Sequence, residues 1–323
     1  MTGIVSPSGV PWDLAPLQRW RDVVRDQPLV FFDLETTGRD ASTAAIVEFG
    51  AVCYDAAAVE AAIAASTACG GIVLPSPAWQ FAQRCNPGVP IPPSATRTHH
   101  ISDADVADAP PVSVLAPSLP GLFSQFRLAG FNALRFDLPV IARLFQLSPT
   151  FAPIDVMGMT RAGERLPRPT GHVPWDVGGP IAVLGPVFGG SLGDAYASLR
   201  GRPMTGAHGA VADSIGTAEV LWTALLVWPD LPSEADYLSS ACWVATLLVQ
   251  PSEYGPMLMH GKYKGDLVTE VERVDSSYLG WLLHAEDVEP YCKQLVTEAI
   301  GPGRAAQLTE AQGRKRGRKG AAT

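Results

Sequence analysis

The chain is poor in cysteine. Five occur in 323 residues, at Cys53, Cys69, Cys85, Cys242 and Cys292. The count is odd, the spacing is wide and no C-x-x-C occurs, which excludes a zinc cluster or a disulfide framework as the organising device. Each reads as a small buried apolar side chain, and the set fits a reducing, cytoplasmic setting. Long apolar runs are also lacking. Val220 to Trp228 is too short to cross a bilayer, and the Ala-rich stretch Ala56 to Ala68 carries Glu60, so no transmembrane segment is expected. Met1 to Leu14 has no basic patch followed by an apolar stretch, and no signal peptide is read there. Positive charge is scarce: 24 Lys and Arg stand against 32 Asp and Glu, for a net charge of −8. Five of those 24 crowd into Arg314, Lys315, Arg316, Arg318 and Lys319. An acidic body argues against gripping a polyanion unless metal ions neutralise the point of contact. There is no internal repeat.

What remains is an ordinary globular composition, 47% hydrophobic and 17% charged. The length suits one large domain or two smaller ones. Gly and Pro are frequent, at 31 and 29 residues, which predicts long connecting loops. Residues 1–27 read as a leader with a short amphipathic helix near Leu17 to Val24. Leu29-Val-Phe-Phe-Asp-Leu-Glu35 reads as a buried strand ending at the turn Thr36-Thr37-Gly38. Ile46 to Tyr54 reads as a second strand and Gly71 to Leu74 as part of a third. Pro87 to Pro93 must be loop. Leu115 to Phe126 is a helix candidate despite Pro117 and Pro120. Leu128 to Phe131 reads as a short strand before a helix from Asp137 to Phe145. Residues 161–190, rich in Gly and Pro, look irregular. Two helices follow, Leu192 to Leu199 and Ala210 to Val227. Strands first, then strands alternating with helices, point to an α/β domain with a mixed sheet. The expected organisation is a leader at 1–27, a main domain at 28–229, a partly helical connector at 230–256, a small module at 257–300, and a basic, disordered tail at 301–323.

Three features carry chemistry. Asp33 and Glu35 end an apolar strand, where alternate residues share a face. Two such carboxylates repel unless a cation lies between them, and acids at the tip of a buried strand are costly without a partner. A bare D-x-E otherwise reads as a solvated strand end. Asp137 closes the stretch Asn132 to Asp137 at a strand-to-helix turn, where a helix N-cap is an equal reading. His208 to Asp213 places a histidine on a glycine-flanked turn before a helix and an acid in that helix's first turns. A mobile imidazole beside a carboxylate suits the activation of water.

Order and setting together resemble one group, the histidine-containing branch of the DEDD superfamily of 3′→5′ exonucleases. The matching stretches are Phe31 to Gly38, Asn132 to Asp137 and His208 to Asp213, supported by Ile46 to Gly50 and His99 to Ile101. The resemblance spans roughly residues 28–228. It implies a ribonuclease H-like α/β fold, a mixed sheet flanked by helices. It also implies that Asp33, Glu35, Asp137 and Asp213 hold two Mg²⁺ or Mn²⁺ ions and that His208 is the general base. Thr36, Thr37 and Gly38 would offer backbone N–H groups to the terminal nucleotide, and His99 and Ile101 would pack around its base and sugar, with His99-His100 as a polar loop pair the equal alternative. Asn132 and Phe136 would shape the pocket, with Phe136 as a plain core residue the alternative. Glu48 follows the strand alternation and would support the metal carboxylates from behind, while Asp155 reads as structural.

Residues 257–300, with Gly261-Lys-Tyr-Lys-Gly265 before Tyr278-Leu-Gly-Trp281, are similar to the small C-terminal module of exodeoxyribonuclease X-like proteins. Lys262 and Lys264 flanking Tyr263 suit phosphate contact with base stacking, or form a hairpin packed on the helix. The basic tail reads as a nonspecific tether or as a solvated end. The expected partner is single-stranded or 3′-ended DNA, with RNA as the alternative, and no membrane. The expected activity is release of nucleoside 5′-monophosphates. The competing readings are an exoribonuclease and a catalytically dead nucleic-acid-binding protein.

Overall fold

In this computed structural model, residues 15–163, 191–228, 233–235, 238–239, 248–250, 252, 254–259, 261–285, 288 and 290–320 are described. The start of the leader, residues 164–190 of the irregular stretch and most of the connector lie outside them. The chain divides into two compact units, Met1–Trp243 and Val244–Thr323.

The first unit is built on a run of apolar and aromatic residues, Leu29–Thr36, which forms the central strand β1. Antiparallel to it runs β2, Ile46–Tyr54, and antiparallel to β2 runs β3, Trp79–Arg84. On the other side β4, Arg127–Gly130, and β5, Ile154–Asp155, run parallel to β1. The order is β3-β2-β1-β4-β5. Side chains alternate across β1, so two cores form. Leu29 and Phe31 pack with Trp20, Tyr54 and Trp222 on one face. Val30, Phe32 and Leu34 pack with Phe49, Phe123 and Ile141 on the other.

The helix Ala210–Val227 lies on the first face. By length and composition it could cross a membrane, contrary to the reading of its apolar run as too short, but 72% of it is buried inside the protein. An apolar helix buried nearly all round is a core element. Its Trp222 packs edge-on to Phe31, with ring centroids 6.3 Å apart. The start of the helix presses on β2 at Gly50. A Cβ there would stand 2.4 Å from the carbonyl carbon of Ala210, so only glycine admits the helix at this height. Gly50 is the cross-strand neighbour of Asp33.

Three expectations change. Gly71 to Leu74 is not a strand; the third strand is β3. The helix Ala56–Cys69, capped by the Asp55 side chain, ends at left-handed Gly70. Ser66 takes up the following donors, with its carbonyl on Gly71 N–H and its hydroxyl on Val73 N–H. The helix expected from Leu115 begins instead at Leu119, after a 3₁₀ turn at Val112–Leu115. Pro117 and Pro120 explain the shift, because proline is tolerated in the first turn of a helix and not inside it.

The third change lies in the second unit. Here β6, Val249–Gln250, pairs with β7, Met257–Leu258. The helices Val268–His284, Pro290–Ile300 and Pro302–Gly320 follow. The last of these runs through residues 302–320, within the stretch expected as a disordered tail, and residues 321–323 lie outside the described residues. Ala305 and Leu308, three residues apart, make a buried stripe that anchors its start. Gly280 lets the Leu308 carbonyl come within 3.0 Å of where a Cβ would stand.

Candidate active site

Strand alternation places Asp33 and Glu35 on the face covered by the Ala210–Val227 helix, whose first turn carries Asp213. Oxygen atoms of these three carboxylates all lie within 4.8 Å of one another. Asp137 opens the helix Asp137–Phe145, but the N-cap position belongs to Phe136. The Asp137 carboxylate instead accepts the Leu34 backbone N–H at 3.1 Å. It is thereby fastened to β1 between the two strand acids.

Each element is pinned by further polar contacts. Asp155 is fully buried and accepts backbone N–H bonds from Asn132, Leu134, Met157 and Gly158 at 3.0–3.3 Å. It thus holds the turn leading to Asp137, in which Asn132 is left-handed with φ 63°. Glu48 stands opposite Glu35 across the β1–β2 ladder. It accepts the Ala210 N–H at 3.1 Å and pairs with Arg84 at 3.2 Å. Glu48 therefore fixes the helix that carries Asp213. His208 is exposed and left-handed, with φ 71°, and its N–H donates to Asp213 at 3.0 Å. The ring of exposed His100 lies edge-on to it, with centroids 6.5 Å apart.

The acids disturb one another. Burial, then repulsion from Asp137, Glu35, Asp213 and Glu48, pushes Asp33 well above the usual carboxylate range. Burial, with Asp213, Glu48 and Asp137, pushes Glu35 up to about 7. Burial also carries Asp137 up to about 7, against the Leu34 hydrogen bond that lowers it. Asp213 is raised by burial and partly relieved by the His208 N–H. An all-oxygen set under this strain fits a hard divalent cation, whose charge would remove the repulsion.

A test of that fit follows from linkage. A carboxylate whose folded pKa exceeds its unfolded value holds more protons when folded. In chelator, stability should therefore fall as pH rises from the unfolded values of about 4 toward 7, the region reached by Glu35 and Asp137. Asp40, Asp105 and Asp275 are held low by local hydrogen bonds and act in the opposite direction, but only at more acidic pH. Thermal melts should show Tm declining across this window in chelator, and a Mg²⁺ or Mn²⁺ stabilisation that grows with pH. A Tm that rises with pH and ignores the metal would contradict the assignment.

The other expected site residues divide. His99 is 5% exposed. Its Nδ1 accepts the Ile101 N–H at 3.1 Å. Burial lowers its pKa; the Thr36 carbonyl draws it back up without closing a well-formed bond to Nε2, which has no partner. Ile101, expected against the last base, is 2% exposed and packs with Val47, Ile91 and Val106, so it is core. Phe136, read either as pocket or as core, packs on the core containing Phe32 and Leu138. The Thr37 N–H, expected to serve substrate, donates to the Ala45 carbonyl at 2.9 Å. The Thr36 hydroxyl donates to the Gly38 carbonyl at 2.7 Å, while Gly38 borders open space. In the second unit Lys262 pairs with Asp275 at 3.1 Å and lies over the Tyr263 ring, so its charge is already engaged. Lys264 is exposed. Sequence reasoning passed over Arg84 and gave no separate role to Gly50 or His100, which lie within the quoted stretches Ile46 to Gly50 and His99 to Ile101. Gly50 had a signal, a glycine in the middle of an apolar strand, which marks a close backbone approach.

Residues 30–147 match the family model for exonucleases of the ribonuclease T type. A search of curated proteins returns no match. Among solved structures, the zinc-bound form of the E. coli exonuclease I–single-stranded DNA complex is 17% identical with a TM-score of 0.51, covering 88% of this chain and 68% of that one. E. coli exonuclease I with a dT13 oligonucleotide is 17% identical with a TM-score of 0.46, covering 64% of this chain and 42% of its own. Exonuclease X with 5′ overhanging duplex DNA is 18% identical with a TM-score of 0.42, covering 65% and 99%. The chain thus spans less than half of the exonuclease I chain in the dT13 complex. At 17% identity, the likeness to the zinc-bound complex, with its TM-score of 0.51, speaks for the fold alone, a ribonuclease H-like mixed sheet flanked by helices.

Proposed function

We propose that this chain, whose residues 30–147 match the exonuclease family model, is a metal-dependent 3′→5′ exonuclease of the DEDD superfamily acting on DNA. The observation that carries the proposal is the convergence of Asp33, Glu35 and Asp213 within 4.8 Å, with Asp137 fastened beside them on the Leu34 N–H. These four carboxylates would hold two Mg²⁺ or Mn²⁺ ions. When bound, such ions polarise the phosphoryl oxygens and stabilise charge on the entering and leaving oxygens.

The chain's own groups do the rest. His208 stands exposed on a left-handed turn whose N–H is tied to Asp213. From there its imidazole takes the proton of the attacking water. The water oxygen bonds to phosphorus, the bond to the 3′ oxygen breaks, and that oxygen leaves, taking a proton from solvent water while His208 later returns its own to solvent. The products are a nucleoside 5′-monophosphate and a strand one nucleotide shorter. Glu48 keeps Asp213 in range by holding the start of its helix.

DNA is favoured over RNA because single-stranded DNA is the ligand of the exonuclease I complex that shares the fold. The active-site chemistry does not need the 2′-OH, so the carboxylates are neutral on this point. Single-stranded DNA and RNA of one sequence, labelled alike and incubated with Mg²⁺, separate the two. Faster shortening of the DNA is expected; faster shortening of the RNA would make the protein an exoribonuclease.

A further inference from the structure

One histidine, His208, adjoins the carboxylate cluster through Asp213, and a second, His100, meets His208 from a distant segment of the chain. His208 precedes the Ala210–Val227 helix, and His100 follows the helix Pro93–His99. Both are left-handed, with φ 71° and 61°, and both are exposed. Position 100 is the C-cap of its helix, where the His100 N–H donates to the Thr96 carbonyl at 2.8 Å. Glycine is the default residue there, because a Cβ is penalised in this conformation. Histidine is not required for packing, since its side chain faces solvent. A residue disfavoured in this conformation, standing beside the proposed general base, invites a functional reading.

The surroundings say what the ring is for. Asp33, Glu35, Asp137, Asp213 and Glu48 make the interior acidic, while the substrate of the proposed reaction is a polyanion. His99, next in the chain, is buried and tied to the Ile101 N–H, which holds the turn that presents His100. The His100 ring meets the His208 ring edge-on, with centroids 6.5 Å apart. His208 is committed to the water at the scissile linkage. A second imidazole beside it is placed for the next linkage along the strand.

Resting on the exonuclease reading, we propose that His100 is a substrate-contacting residue. Its imidazole donates a hydrogen bond to a non-bridging oxygen of the phosphodiester next to the scissile one. The contact belongs to strand binding and not to the chemical step.

The test compares wild type, His100→Gly and His100→Asn with Mg²⁺ on a thymidine oligonucleotide and on dTpdT, which has a single phosphodiester. His100→Gly should raise KM for the oligonucleotide about tenfold, the lower end for a hydrogen bond to a charged group. Its kcat should stay within about twofold and its KM for dTpdT should not change, because the contacted phosphate is absent there. Its Tm should be equal to wild type or higher, since glycine suits the left-handed position. His100→Asn keeps a donor and tolerates φ above zero, so it should recover most of the affinity. An unchanged oligonucleotide KM, a loss confined to kcat, an equal loss on dTpdT, or an asparagine variant as weak as glycine would each overturn the proposal. The exonuclease reading fails separately, if wild type does not shorten the oligonucleotide at all.

Discussion

Asp33→Asn should reduce phosphodiester hydrolysis by roughly a thousandfold or more, in line with the loss of an electrostatic catalytic group, while raising the Tm measured in chelator. The two effects share one cause. Asp33 sits among Asp137, Glu35, Asp213 and Glu48, and their repulsion, added to burial, raises its pKa well above the usual range. With no cation present, an ionised Asp33 therefore destabilises the folded state near neutral pH. The amide removes that charge and keeps the shape. It also removes a ligand from the set that would hold the metals, so the pH dependence of Tm in chelator should flatten. Activity assays with Mg²⁺ and melts in chelator, run on the same preparation, read both effects. Near-wild-type activity, or a lower Tm, would remove Asp33 from the metal site.

His208→Asn should lower kcat by about 10²–10⁴, the usual contribution of a general base, with little change in KM or in the metal-induced Tm shift. Asparagine tolerates the left-handed conformation of this position, so the N–H bond to Asp213 should survive. That makes the variant a clean probe of the imidazole. Loss of the metal shift would mean that the substitution had disturbed Asp213. An unchanged kcat would take the proton-accepting role away from His208.

The chemistry-bearing acids were legible because their settings are local. A strand of Leu29 to Phe32 followed by Asp33 and Glu35 must place both acids on one face, whatever the rest of the chain does. The helices Asp137–Phe145 and Ala210–Val227 appear with the bounds their sequence suggests. What could not be read depended on partners distant in sequence. Ile101 looks like a pocket residue beside His99, but Val47 and Ile91 enclose it. Lys262 looks like a free cation until Asp275, at a kink inside the Val268–His284 helix, takes it up. The polar composition after Gly301 hides the Ala305 and Leu308 stripe that orders the last helix. The Thr37 N–H looked free for substrate and is used by Ala45. The role of Glu48 rests on a bond to Ala210, 162 residues away, which no local pattern announces.

The central claim joins metal dependence to removal of nucleotides from the 3′ end. The most direct measurement is a time course on one DNA strand labelled at its 3′ end or its 5′ end, with Mg²⁺, with Mn²⁺ and with chelator. The 3′ label should be released at once as a mononucleotide, while the 5′-labelled strand shortens through a descending ladder, and chelator should stop both. Release of the 5′ label as the first mononucleotide, or degradation that continues in chelator, would contradict the account.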